Sequence, residues 1–180
     1  MAHGIAIPKR VAAMSVDAYN RSAKSASADL DNGNVVVLNT GVSSTAGEGE
    51  VWLATRPATA TLAAGLFMVM TPEVVVTNSQ FRNIDPDPRN FYVAQGKVFD
   101  AVKLQIGDIV ELSEDCLAGT KSTNVYVVAA DASYKLTWNA TAVSGLSLKL
   151  VVDPSYISVP DGSISSGRVT SYIFEVVALA

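Results

Sequence analysis

Histidine and cysteine are almost absent from this chain: His3 and Cys116 are its single representatives. With one histidine, near the start, a Ser-His-Asp or Cys-His site would have to draw its general base from a terminus. Cys116 follows Glu114 and Asp115, and neighbouring carboxylates raise a thiol pKa rather than lower it, so an inert thiol is expected. Zinc needs a cluster of Cys and His ligands, and the sequence has none. No metal or cofactor is expected. One cysteine makes no internal disulfide, which fits assembly in a reducing cytoplasm. No apolar run approaches the roughly 20 residues a membrane helix needs. The start, MAHGIAIPKRVAAMSV, places its cations after the first apolar residues and has no long apolar stretch, so it reads as a poor secretory signal. Charged residues make up 17% of the chain, and the net charge of −4 argues against general nucleic-acid binding.

What the chain does have is apolar alternation. Hydrophobic residues make up 49%, much of it Ala and Val, enough for a sizeable core in one domain. The stretch from Val98 to Leu112, VFDAVKLQIGDIVEL, organises the reading. Val102, Leu104, Ile106, Val110 and Leu112 fall on one parity and Lys103, Gln105 and Glu111 on the other. A period of two predicts strands, with the first set facing a core and the second facing water or a partner. Gly107-Asp108 breaks the run at a turn or bulge, where Asp satisfies nearby backbone N–H groups. One bent β-segment, or two strands meeting at a corner, is expected.

The same pattern recurs along the chain. Asp31-Asn32-Gly33-Asn34 is a turn signal. Val35 to Leu38 is apolar without alternation, as in a strand buried on both sides. Thr71-Pro72 interrupts another apolar run, because proline lacks the N–H a central strand requires. Strands are read at Val51 to Ala54, Val125 to Ala129, Tyr134 to Trp138, Leu146 to Val152 and Val169 to Leu179. Asp153-Pro154 is expected to end one of them, and Pro160-Asp161-Gly162 is a strong turn. The total is about ten short strands without a convincing long helix, which predicts an all-β sandwich or barrel. Residues 33–180 form this body.

Residues 1–32 differ. They carry Lys9, Arg10, Arg21 and Lys24 and are net positive by count, and their apolar residues are small or isolated. They read as an extended N-terminal arm that orders only against a neighbour. A weak helix from Val11 to Lys24, or a first strand of the body, are the competing readings.

The carboxylates offer little chemistry. Asp85 and Asp87 each precede a proline and read as a stiff turn rather than a Ca²⁺ or paired-acid site. Glu114-Asp115 reads as a solvated loop. A glycosidase would need two carboxylates about 5–10 Å apart across a cleft, and no motif supports one. Arg89 either contacts a partner or pairs with Asp85 or Asp87 at the surface. Trp52, Trp138, Tyr134 and Tyr126 are available to stack on sugars, although their alternation favours core burial.

The arm IAIPKRVAAMSV and the stretch NIDPDPRNFYVAQGKVFDAVKLQIGDIVELSEDCLAGTKSTNVYVVA, in a small-residue β-rich chain, resemble virion structural proteins of tailed bacteriophages. The likeness is greatest to head-decoration, or capsid cement, proteins. The resemblance implies a non-enzymatic, oligomeric accessory subunit on the outer capsid surface, assembled in the host cytoplasm and bound to the major capsid protein. Lys9, Arg10, Arg21, Lys24 and Arg89 are the candidate partner-binding residues, and neither nucleic acid nor membrane is an expected partner. A tail, connector or fibre-like subunit and a carbohydrate-binding β-module are the alternatives.

Overall fold

The computed structural model describes residues 3–42, 50–59, 62, 65–72, 75–78, 83–85, 87–160 and 166–179. Among these the fold is all-β, with short 3₁₀ turns as its only helices. Five strands close a barrel: β2 (Asn20–Ser25), β3 (Val35–Val42), β4 (Trp52–Thr55), β5 (Leu66–Val69) and β8 (Val98–Val102). Seven strands form an open sheet: β1 (Ala6–Arg10), β9 (Ile109–Ser113), β10 (Leu117–Ala118), β11 (Tyr126–Val128), β12 (Leu136–Asn139), β13 (Ser147–Pro160) and β14 (Ser166–Ala178). Their order across the sheet is β1-β9-β14-β13-β11-β12-β10. A small two-stranded sheet joins β6 (Val75–Asn78) to β7 (Asn83–Asp85).

The stretch from Val98 to Leu112 turns the corner between barrel and sheet. Val102, Leu104, Val110 and Leu112 are buried in the shared core, as their parity predicts. Asp108 builds the corner. Its carboxylate accepts from the Ala12 and Gln105 backbone N–H groups, each at 2.8 Å, and the residue is buried. Gly107 sits at φ +92°, where a side chain would be strained. Gly107 and Asp108 also exchange backbone bonds of 2.9 Å with Val176, which ties the corner to the last strand.

Parity fails at two positions. Ile106 is 68% exposed, because it stands in the turn, where the strand geometry that sets facing has already ended. Glu111 is 2% exposed, because Lys9 and Ser171 meet its carboxylate on that face.

The main core lies between the barrel and the sheet. Val35, Val37, Leu66 and Met68 pack from the barrel, against Leu136, Leu148, Phe174 and Val176 from the sheet. Val36 points the other way and joins Ala23, Ala54, Val69 and Phe99 in a second cluster. The unbroken apolar run Val35–Val37 therefore reflects burial on both faces of β3.

The N-terminal segment is built into both units and is not a separate arm. β1 pairs with β9, and β2 pairs with β8 and β4. Ile5, Ala13, Ala23 and Leu30 are buried. Small side chains are what these places require, since Ala13 and Ala23 are wholly enclosed. The structure thus matches the competing reading of residues 1–32 as part of the body.

β13 also departs from expectation, because it runs past Asp153-Pro154 to Pro160. The register with β14 shifts between Val152 and Ser155, and pairing then resumes. Proline is tolerated there because, among the described residues, no strand lies on the far side of β13 beyond Lys149. Together β13 and β14 make a hairpin that overhangs the sheet.

Candidate interaction surface

The five candidate partner residues stand on three separate elements. Lys9 and Arg10 lie on β1, the outermost strand of the sheet. The Lys9 ammonium is 2.6 Å from the Glu111 carboxylate, and Ser171 Oγ donates to the same carboxylate at 2.6 Å. Burial by itself pushes the Glu111 carboxyl up. Hydrogen bonds from Lys9, Ser171 and Ser155 outweigh it and hold the group below its ordinary value. Lys9 is therefore engaged within the chain, whereas Arg10 is exposed.

Arg21 and Lys24 follow on β2. The Arg21 guanidinium donates to the Asp17 and Asn20 carbonyls at 3.1 and 2.8 Å. It also borders a cleft of about 570 Å³ between β1 and the barrel, walled by Ile7, Met14, Met70 and Val102.

Arg89 lies at the tip of the overhanging hairpin. It grips Asp87 through Nε and Nη2, and Nη2 also donates to the Pro160 carbonyl at 3.0 Å. The Arg89 side chain, hydrogen-bonded to the Asp87 carboxyl, holds it below the usual carboxylate range. Asp87 also accepts from the Arg89 N–H and starts a short 3₁₀ turn, the stiff-turn reading of this segment. The Asp85 side chain lies outside the described residues.

Among the described residues, the side chains that meet the single histidine are a carboxylate and an aromatic ring. His3 is held in place: Nδ1 is 2.7 Å from the Asp31 carboxylate, and the ring stacks on Tyr92 at 4.7 Å. Cys116 is buried nearby, and its thiol bonds to the Ile5 and Asn32 carbonyls at 3.3 Å. Burial pushes that thiol up to about 12. The direction agrees with the sequence reading, but desolvation causes it rather than the adjacent acids. Among the described residues, no group of three or more His, Cys, Asp or Glu side chains converges as metal ligands.

The aromatics available to stack on sugars are largely committed to the interior, as their alternation favours. Trp138 is buried against Tyr172 and Phe174, with ring centroids at 5.3 and 5.6 Å. Trp52 and Tyr134 pack on the second cluster.

Sequence reasoning missed the overhang itself. Val151, Val152 and Tyr156 are exposed along it, whereas Ile157 and Val159 turn inward onto Ile5. The signal was present in VVDPSYISVP, whose alternation resumes after Pro154. No protein family, curated protein or solved structure matches the chain.

Proposed function

We propose that this chain is a non-enzymatic virion structural subunit that decorates the outside of a tailed-bacteriophage capsid, bound to the lattice of the major capsid protein. The observation that carries this reading is the overhanging hairpin on a doubly anchored β-body. A cement subunit needs a rigid support and a projecting surface that makes the same contact many times. Here the support is a barrel and a sheet sharing one core. The projection presents Val151, Val152 and Tyr156 to solvent. Many identical modest contacts then add through avidity on a repeating lattice. Arg10 at the sheet edge and Arg21 beside the cleft supply positive charge for an acidic lattice surface.

Co-sedimentation of the purified chain with capsids from which it is missing tests the reading. Saturable binding that raises the capsids' thermal stability is the expected result. Binding to tails but not heads replaces decoration with the tail or connector reading. Binding to neither overturns the virion assignment.

A further inference from the structure

We propose that the free edge of β13 is a self-association surface, on which a second copy of this chain adds its own β13 in antiparallel register about a two-fold axis. β13 is paired with β14 along its length, but with β11 only from Ser147 to Lys149. From Pro154 to Pro160 no strand among the described residues lies on its other side.

The edges of this fold differ in how they are protected. β1 carries Pro8, Lys9 and Arg10, which discourage a docking strand. β10, at the opposite side of the sheet, is two residues long. On the overhang, β14 carries Arg168. Among the described edges of this sheet, β13 from Pro154 to Pro160 is longer than β10 and carries no charged side chain. Two copies meeting there bring no like-charged strand residues together.

The prolines set the register. On an edge strand, proline turns its missing N–H outward. Pro154 and Pro160 share a parity with Tyr156 and Ser158, so the backbone groups of Tyr156 and Ser158 face outward too. The Arg89 bond to the Pro160 carbonyl agrees with that facing and caps one end of the edge. Near the other end, Lys121 pairs with Asp153. Between these ends the only N–H groups that face outward are those of Tyr156 and Ser158. In the register we propose, the two-fold passes through Ile157, Tyr156 of each copy opposes Ser158 of the other so that their N–H and C=O groups bond reciprocally, and proline faces proline at both ends. The side chains agree with this register. Pro154, Tyr156, Ser158 and Pro160 are exposed, whereas Ile157 and Val159 are buried against Ile5. An edge bounded by proline at both ends closes as a dimer rather than extending as a fibre.

The test is the solution mass of the full chain over a dilution series, without capsids. The wild type should pass from the 18.9 kDa monomer to a dimer as concentration rises. Tyr156→Lys and Ser158→Glu each place like charges diagonally across the two-fold, and each should weaken association by up to about fivefold. The double variant opposes Lys and Glu across the axis and should restore the dimer. Unchanged circular dichroism and melting confirm that each variant folds. A wild type that stays monomeric, single variants that dimerise as tightly as the wild type, or a double variant that does not recover overturns the proposal. The dimer is independent of capsid binding, so failure of the decoration reading leaves this test intact.

Discussion

Lys9→Met removes the ammonium from the Glu111 carboxylate and keeps most of the aliphatic stem. Glu111 then remains in the sheet interior with Ser171 and Ser155 as its donors. The full cost of breaking a buried pair, about 3–5 kcal/mol, does not apply. The Lys9 side chain is 43% exposed, so water replaces part of its contribution. Loss of one charge-assisted partner from a buried group sets the scale at about 1–3 kcal/mol. In a chain of this size each kcal/mol lowers the melting temperature by about 2–4 °C, so a fall of about 2–12 °C is expected at pH 7. The pH dependence follows from the depressed Glu111 pKa. Its stabilisation is fully present above the ordinary value of 4.5 and is lost as pH falls through the lower folded value. Thermal melts of wild type, Lys9→Met and Glu111→Gln at pH 7 and pH 3 read this directly. The wild type should lose more on acidification than Glu111→Gln, which has no carboxylate to protonate. Equal acid losses, or a Lys9→Met chain that melts with the wild type, would refute the assignment of Glu111 as a charge held by Lys9.

Leu104→Ala should cost about 2–5 kcal/mol in denaturant melts, because Leu104 is fully buried between barrel and sheet. Ile106→Ala should change stability by no more than about 0.5 kcal/mol, because that side chain stands in solvent at the corner. Cys116 should resist thiol reagents in the native chain and label at once in denaturant, since both burial and a raised pKa oppose the thiolate. Deleting residues 1–25 should abolish cooperative melting rather than merely remove a docking segment, because it takes β2 out of the closed barrel.

Where facing is decided locally, the sequence was readable. Alternation at Val102, Leu104, Val110 and Leu112, and proline at Pro72, report the pleat and the ladder from a few neighbouring residues. Gly107-Asp108 announced its corner because both residues act on adjacent backbone. Glu111 was misread because its counter-charge, Lys9, lies on the first strand of the chain, and a local period cannot register so distant a partner. The N-terminal segment was misread for a related reason. Its alanines looked too small to support order, yet Ala13 and Ala23 fit places already crowded by strands from elsewhere in the chain. Pro154 was taken for a stop, but proline ends a strand only when a neighbour needs its N–H, and among the described residues no strand flanks β13 there. The candidate cations were visible as charges, but whether each was engaged within the chain was not. Arg89 pairs with Asp87, an option its sequence neighbourhood offered, whereas nothing near Lys9 in sequence distinguishes it from Arg10.

The two units are completed at different moments of synthesis. Every barrel strand lies between Asn20 and Val102, so the barrel can close while the rest of the chain is still being made. The sheet cannot close then, because β9 sits between β1 and β14, and β13 needs β14 as its neighbour. β1 can pair with β9 once Ser113 has been made, but the far side of β9 stays unpaired until the residues from Ser166 to Ala178 have emerged. Throughout that interval the barrel's apolar outer face, including Val35, Leu66 and Met68, lacks the cover of Tyr172, Phe174 and Val176. The growing chain is most exposed to misassociation during this interval, and only its final strand ends it.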